Sequence, residues 1–389
     1  MLTAGSGLSL LPEPMAAGNA AAQMAVTASA GPVSSILVFA SFHHAAHLAQ
    51  VLAGVREVTG DAPIHAACGY GVLTEQHEIE DVPAVAVLAI AGDHVTIEAR
   101  QIRPDDAQGE ALGRLLAAEA DTRKPSTTVL LLGPDAGWPE EILQGHAAGS
   151  SEGGSILGVG LSGVWQDSAV ASDDEVREDA SLALFLPNTV QVRIGHSRAL
   201  GPLGRLHTVT HARGDRIDSL DGQPARAVLL AEAGEALLAA MEKGDVPLYV
   251  GIPSDGATET LHRNAYAVRS VLGIDKRDGS VIVPQGIPAG TAVGFLIQDR
   301  ERAKTDFQDL LQGLVTASGD RQPAFGLYFN CVARGRDLYG APDVDVQAIR
   351  QQFPGLPLIG ISGAFELCPV DGVNGMHSYT GVLALISPC

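Results

Sequence analysis

The sequence has few basic residues, and none of them lies near its start. Lysine and arginine total 25 against 45 aspartates and glutamates, which gives a formal net charge of −20. A surface of this sign repels phosphate backbones and anionic lipids, so we expect neither a nucleic-acid partner nor a membrane partner. The first basic residue is Arg56, so the positively charged segment that begins a secretory signal is missing.

Cysteines and long apolar runs are also scarce. Cys68, Cys331, Cys368 and Cys389 are the only cysteines, and they form no CxxC pair and no zinc-binding spacing. This usage favours reduced thiols in a cytoplasm. The longest apolar runs, such as Val85–Ala91, are far too short to span a bilayer. The sequence therefore predicts a cytoplasmic protein without transmembrane segments.

The length of 389 residues is enough for two domains. Residues 1–31 are rich in alanine, glycine and serine, and Pro12 and Pro14 interrupt their only apolar patch. We therefore expect a disordered leader over 1–31, a first domain over 32–205 and a second domain over 206–389.

One order of predicted elements occurs twice along the chain. The order is an apolar strand, a helix, a second strand and a later strand. It occurs near the N-terminus and again near the C-terminus. The strands of the two copies are Ile36–Phe42, Pro63–Gly71 and Ala84–Ile90, then Gly326–Cys331, Pro357–Ala364 and Gly381–Ile386. This pattern predicts a mixed α/β fold of two similar halves, each a mixed sheet with helices on its outer face. A ligand is expected where the strand ends of the halves meet.

Polar residues stand at the predicted strand ends of the C-terminal copy. Cys331 and Arg334 follow the first strand, Glu366 follows the second, and His377 precedes the last. Strand ends of one sheet meet at one edge, so we expect these four side chains to converge.

These residues carry a resemblance to a known family. The order is an apolar strand ending in Cys-x-x-Arg-Gly, a corner followed by Glu, and then a His shortly before a Thr. It resembles the C-terminal part of a FIST domain, although Phe365 stands where that family usually has glycine. The resemblance extends over most of residues 33–386. The residues that carry it are Cys331, Arg334, Gly335, Glu366, His377 and Thr380.

The resemblance implies a sensory domain that binds a small ligand and signals through a separate protein partner. Arg334 and Arg336 suit the carboxylate of a ligand, and Glu366 suits an amine, so the ligand is expected to be amino-acid-like. The main hypothesis is ligand binding without catalysis and without a cofactor. The alternative is that Arg334 and Glu366 form an ion pair with a purely structural role. The predicted ligand-binding residues are Cys331, Arg334, Gly335, Arg336, Glu366, His377, Cys68 and Tyr70.

A thiol-dependent enzyme is an alternative function. Cys331, His377 and Glu366 have the residue types of a thiol-hydrolase triad, and a nearby guanidinium would lower the pKa of the thiol. A buried cysteine that packs as a small apolar residue is the structural alternative.

A haem-based gas sensor is a second alternative, because some bacterial FIST proteins are regarded as such sensors. His43 and His47 lie four residues apart at the start of a predicted helix, with His44 between them. On an α-helix this spacing places two rings on one face, where they can hold a metal or a haem iron. The chain has no CxxCH motif, so only non-covalent haem is considered. A solvated helix start is the alternative interpretation.

The stretch Gly149–Gly163 is rich in glycine. A phosphate-binding loop would need a following Lys-Ser or Lys-Thr pair, which is absent. We therefore expect a loop and a strand that packs closely on a neighbour.

Overall fold

A computed structural model describes most of the chain. The described residues are 2–92, 95–151, 153–161, 168–254, 256, 259–261, 266–319 and 321–389. They form two compact units, one of residues 1–197 with 306–389 and one of residues 198–305. The predicted mixed α/β class is confirmed, because helices alternate with strands that pair in both parallel and antiparallel directions.

The first unit contains three repeats of one element order, in which a strand, a helix, a strand and one or two helices precede four strands. The first repeat is β1 (Thr3–Ser9), α1 (Pro14–Ala28), β2 (Val33–Ser41), a 3₁₀ helix (Phe42–His47), α2 (Leu48–Thr59), β3 (Ile64–Gly69), β4 (Val72–Thr74), β5 (Glu78–Ile79) and β6 (Val85–Ala91). The second repeat is β7 (Glu98–Ile102), α3 (Gly109–Arg123), β8 (Thr127–Leu132), α4 (Pro139–Gly149), β9 (Ile156–Gly160), β10 (Val170–Ser172), β11 (Glu175–Arg177) and β12 (Ser181–Leu186).

The second unit interrupts the third repeat in sequence, after that repeat's first strand. That strand is β13 (Val190–Arg198). The second unit is then β14 (Leu200–Arg213), β15 (Arg216–Leu220), β16 (Gln223–Pro224), α5 (Ala225–Lys243), β17 (Leu248–Pro253), β18 (Tyr266–Ser270), β19 (Gly273–Ile274), β20 (Val281–Ile282) and β21 (Ala292–Gln298). Its strands form one sheet in the order β18-β17-β21-β14-β15-β20-β19, with β16 paired to β15.

The third repeat resumes after the second unit. It continues with α6 (Arg300–Ser318), β22 (Phe325–Cys331), α7 (Gly335–Tyr339), α8 (Val344–Gln352), β23 (Leu358–Gly363), β24 (Glu366–Val370), β25 (Val373–His377) and β26 (Thr380–Pro388). The two copies predicted from the sequence thus correspond to the first and third repeats. The second repeat has the same order and was not predicted.

Each repeat forms the centre of one six-stranded sheet, and each sheet also receives a hairpin from another repeat. The three orders are β1-β6-β2-β3-β10-β11, β7-β12-β8-β9-β24-β25 and β13-β26-β22-β23-β4-β5. The hairpin β10–β11 of the second repeat pairs with β3 of the first. The hairpin β24–β25 of the third repeat pairs with β9 of the second, and β4–β5 of the first pairs with β23 of the third. The repeats therefore exchange hairpins in a closed cycle.

Alternation along the strands builds the cores of this unit. In β2, Leu37 and Phe39 face a core shared by all three sheets, whereas Ile36 and Val38 face α1 and α2. The shared core also receives Phe329 of β22 and residues of β8 and β12. The helices α3 and α4 cover the outer face of the second sheet, and α6 and α8 that of the third. The predicted position of helices on outer sheet faces is thereby confirmed.

The prediction of a disordered leader is wrong. The described residues 2–31 contain β1, which pairs antiparallel with β6, and α1, which packs against α2. The small residues that resemble a low-complexity tail in the sequence are the ones that close packing requires, because Ala17, Ala21 and Ala25 of α1 are fully buried.

The predicted boundary between residues 205 and 206 falls inside β14, within the second unit. The first unit instead combines residues 1–197 with 306–389, because the hairpin β4–β5 of the first repeat pairs with β23 of the third, and β24–β25 of the third pairs with β9 of the second. Within the described part of the chain, no helix is long and apolar enough to cross a membrane.

Glycines set the distance between α1 and α2 and between α3 and α4. A Cβ atom on Gly54 of α2 would lie 2.0 Å from the carbonyl oxygen of Met15, and one on Gly18 of α1 would lie 2.1 Å from that of Val51. Gly113 and Gly145 repeat this arrangement between α3 and α4. The first two helix pairs therefore use the same reciprocal glycine contact.

We expect Gly54→Ala to lower the free energy of unfolding by about 1–3 kcal/mol, because the added methyl group meets a backbone carbonyl that cannot turn away. Gly313 of α6 is the matched control, since no atom lies within 4 Å of its Cβ position. Gly313→Ala is expected to stabilise the protein by roughly 0.5–1 kcal/mol through helix propensity. Urea unfolding of both variants checks this, and equal effects would contradict it.

Candidate functional site

The strand ends of the third repeat bring together several of the predicted site residues. Cys331 is the last residue of β22, Glu366 the first of β24, His377 the last of β25 and Thr380 the first of β26. Glu366 and His377 are directly opposite each other in the β24–β25 pair. The fold therefore holds these residues at neighbouring strand ends.

Arg334 is fully buried and its guanidinium is bound by the protein itself. Its Nε and Nη2 donate to the two carboxylate oxygens of Asp345 at 3.1 and 3.2 Å. Nη2 also donates to the hydroxyl of Tyr339 at 2.7 Å, and Nη1 donates to the carbonyl of Ser197 at 3.2 Å. The acidic partner of Arg334 is thus Asp345 and not Glu366, and all three guanidinium nitrogens have protein acceptors.

Two tyrosines complete the shell around Asp345. The hydroxyls of Tyr328 and Tyr339 donate to its two oxygens at 2.7 Å each. Burial by itself lowers the pKa of Arg334, but the charge of Asp345 outweighs it and raises that pKa above its usual range. Nothing in the sequence pointed to Asp345, which is an ordinary acidic residue in the first turn of α8.

The end of β22 and the loop after it contact two glutamates of the first repeat. Glu78 accepts a hydrogen bond from the Asn330 side chain at 2.6 Å, and burial raises the pKa of Glu78 to about 8. Glu80 accepts the backbone N–H of Arg336 at 3.3 Å. A Cβ on Gly335, whose φ is +58°, would lie 1.9 Å from a carboxylate oxygen of Glu80. Gly335 thus allows this approach, while the side chain of Arg336 is exposed.

Glu366 lies beside Cys331 without access to solvent. Its Oε2 accepts the backbone N–H of Thr380 at 3.2 Å. Its Oε1 is buried and has no hydrogen-bond partner among the described residues. Burial raises the pKa of Glu366 well above its usual value of 4.5 and so favours the neutral form of this carboxyl. Apart from the Cys331 thiol, which hydrogen-bonds to this carboxyl, one oxygen of a fully buried acid is therefore left available.

Cys331 is also held in its neutral form. Burial, followed by the neighbouring Glu366 carboxyl, raises the pKa of its thiol to about 12. The N–H groups of Ala333 and Tyr379 point to the sulfur and lower this pKa only in part. The thiolate that a nucleophile requires is therefore a very small fraction of the protein at pH 7.

The other two repeats show what the fold needs at the position of Glu366. Val72, Val170 and Glu366 are each the first residue of an exchanged hairpin and pair with equivalent strands. Val72 and Val170 lie in the shared apolar core. A carboxyl at the third position is thus not a requirement of the architecture, since valine fills the same place twice.

His377 is packed between a strand carbonyl and a second imidazole. Its Nε2 is 3.2 Å from the carbonyl oxygen of Cys368, and its ring stacks on His196 at 5.5 Å between centroids. With Nε2 engaged there and Cys331 neutral, the geometry gives the thiol-hydrolase alternative no support.

Cys68 lies near the end of β3 and Tyr70 follows that strand, but their surroundings differ. Cys68 is buried against α1 and α2 on the outer face of the first sheet, and burial raises the pKa of its thiol to about 12. The N–H of Tyr70 donates to the carbonyl of Ser362 at 3.0 Å, and its hydroxyl donates to Asp81 at 2.8 Å. Tyr70 therefore stands at the strand-end edge, whereas the side chain of Cys68 points away from Cys331.

The three histidines after β2 lie in a 3₁₀ helix and not in an α-helix. With three residues per turn, His43 and His47 no longer share a face. Both are exposed, while His44 is buried and its pKa is lowered by burial and by the two neighbouring histidines. The shared face predicted for the haem alternative is therefore wrong. Among the described residues, no three His, Cys, Asp or Glu side chains are arranged to hold a metal ion.

Comparison with known proteins agrees with this architecture. The model of the FIST N domain matches residues 34–223, and that of the FIST C domain matches residues 226–369. The chain belongs to the FIST family. FIST domains are generally associated with sensory signal transduction.

Relatives of full length are known from mycobacteria. An uncharacterized protein of Mycobacterium tuberculosis strain H37Rv is 27% identical over 389 residues, which covers 98% of each chain. An uncharacterized protein of Mycobacterium bovis is 27% identical over 388 residues, again with 98% of each chain covered. This FIST protein is therefore similar to them along its whole length.

Proposed function

We propose that this FIST protein is a cytoplasmic sensor that binds a small ligand at Glu366 and signals through a separate protein partner. One observation carries the proposal. A fully buried carboxyl with an unpartnered oxygen stands where the two other repeats have valine. Buried polar groups without partners are rare and costly, so a group retained against the pattern of the fold indicates a binding role. The four cysteines are free, which fits a reducing compartment.

The charges around the site favour an amine over a carboxylate as the bound group. Asp345 neutralises Arg334, so the guanidinium that was expected to bind a ligand carboxylate is already paired. Glu366 and Glu78 each have a buried oxygen without a hydrogen-bond partner among the described residues. Glu366 is the one at the predicted site, and a ligand ammonium would ionise it and form a buried ion pair. An amino-acid-like ligand would then be held through its amine.

Tyr379 connects the site to a possible conformational change. It lies between His377 and Thr380 and has a φ of +59°, which a non-glycine residue rarely adopts. The same short turn supplies the N–H of Thr380 to Glu366 and the N–H of Tyr379 to Cys331. A ligand bound to Oε1 of Glu366 shifts the carboxyl and with it the bond from Thr380 to Oε2, and movement of this turn changes the surface offered to a partner.

The proposal predicts a melting-temperature response that depends on Glu366. A panel of amino acids and of the amines that lack their carboxylates is screened by thermal shift. Ligand at about 100 times Kd stabilises a protein by about 2.7 kcal/mol, so a rise of several degrees is expected. Glu366→Gln keeps the acceptor for Thr380 but cannot ionise, and we expect it to lose the response.

Glu366→Val separates binding from folding, since valine occupies the equivalent positions. We expect it to keep a folded protein without any ligand response. A ligand response that survives both substitutions would place binding elsewhere. Absence of any response in the unaltered protein would argue against a small-molecule sensor of this kind.

A further inference from the structure

Residues 150, 151 and 153–155 of the glycine-rich stretch line a cavity that is separate from the site at Glu366. The cavity has a volume of about 540 Å³ and lies in the first unit, at the amino-terminal ends of β8 and β9. Its walls come from the end of α3, the segment after α4 and the start of β8. It lies at the opposite strand ends of its sheet from those at which Glu366 begins β24 beside β9.

The lining is dominated by hydroxyl and amide groups with balanced charge. The residues that line it include Asp121, Lys124, Thr127, Thr128, Ser150 and Asn188. Lys124 and Asp121 supply one charge of each sign, and no ion pair within 4.0 Å joins Lys124 to another described residue. Aromatic and large aliphatic side chains are absent from the described lining.

The wall of the cavity is held in place from behind. The side chain of Asn374 accepts the N–H of Ile156 at 2.9 Å and donates to the carbonyl of Gly154 at 2.7 Å. The carbonyl of Ser155 accepts the N–H of Thr128 at 2.9 Å. Residues 154–156, next to the cavity, are therefore fixed to two strands of the sheet. A site organised before binding loses less entropy when a ligand enters.

We propose that this cavity binds an uncharged polyhydroxylated molecule of monosaccharide size. Paired donors and acceptors at hydroxyl, amide, ammonium and carboxylate groups match the vicinal hydroxyls of such a ligand. A phosphate ester would need an excess of positive charge, which the lining does not offer. An apolar ligand would need apolar walls, and the volume lies in the range of small-molecule sites.

The test is a titration of the whole protein with a panel of neutral sugars and inositol, followed by calorimetry. We expect at least one member to bind. Thr128→Val is expected to weaken this binding roughly 3–10-fold, because valine has the size of threonine but lacks its hydroxyl. Asp121→Asn is expected to weaken it as well. Thr122→Val is the matched control, because the Thr122 hydroxyl is exposed on α3 and bonds the Ala118 carbonyl outside the cavity.

Three results would overturn the proposal. They are no binding of any neutral polyol, binding that Thr128→Val and Asp121→Asn leave unchanged, and binding of charged or zwitterionic compounds in place of polyols. Melting curves of each variant without ligand show that it is folded. Glu366→Gln is expected to leave polyol binding unchanged, so the two sites are judged separately.

Discussion

Asp345→Asn is expected to lower the free energy of unfolding of the first unit by about 3–5 kcal/mol. The substitution keeps the shape of the side chain but leaves the Arg334 guanidinium buried without a counter-charge. The ion pair is fully enclosed, with 0% and 1% exposure of the two side chains, so water cannot replace the lost partner. Two tyrosine hydroxyls would also lose a charged acceptor.

Tryptophan fluorescence during urea unfolding is a suitable measurement, because both tryptophans precede residue 198 in the sequence and the described one, Trp138, belongs to the first unit. The signal is then not confused with unfolding of the second unit. The matched comparison is the double variant Arg334→Met with Asp345→Leu, which removes both charges together. We expect it to lose less stability than either single substitution. If Asp345→Asn lowers the free energy of unfolding by less than about 1 kcal/mol, the Arg334–Asp345 pair is not a main source of stability in the first unit.

This pair also shows where sequence reasoning about the site ended. Cys-x-x-Arg at a strand end correctly indicated that Arg334 lies beside Cys331 at the edge of the sheet. The partner of Arg334 depends on how α8 packs over β22, and an acidic residue in the first turn of a helix is most often solvated. Asp345 therefore had no feature in the sequence to distinguish it from other acidic residues.

Apolar runs bounded by glycine and proline were enough to predict most of the strands around the site. The runs that became β2, β3, β22 and β23 are short and largely apolar, as expected for strands buried on both faces. The same reasoning could not find the exchanged hairpins, because β4, β10 and β24 are only three to five residues long. Their partners lie in other repeats, and such pairing leaves no periodic signal.

Residues 1–31 show a second limit of sequence reasoning. Alanine and glycine have weak apolar signals, so composition suggested a disordered segment. In the fold these residues include a helix, α1, whose backbone at Met15 lies against Gly54 of α2 and whose Gly18 lies against the backbone of Val51. Close helix packing and disorder therefore share a composition, and only the tertiary structure separates them.

The pH dependence of stability gives the second large prediction, which concerns Glu78. Burial raises its pKa from an ordinary value of 4.5 to about 8 in the folded protein. Between these two values the folded state holds a proton on Glu78 that the unfolded state has released. Stability therefore falls as pH rises through this window, by about 1.4 kcal/mol per pH unit, and the contribution is constant above it.

Glu78→Gln removes the titration while keeping an oxygen for the bond from Asn330. Relative to the unaltered protein, we expect this variant to gain about 3–4 kcal/mol between pH 5 and pH 8. The pKa of Glu366 is also raised by burial, so the unaltered protein loses stability with rising pH through both carboxyls. Glu78→Gln removes the contribution of Glu78. Urea unfolding followed by tryptophan fluorescence at several pH values measures the difference, with the exposed Glu178→Gln as control. If the two variants follow the same pH profile, Glu78 is ionised in the fold, and the buried network around Arg334 carries one more negative charge than we infer.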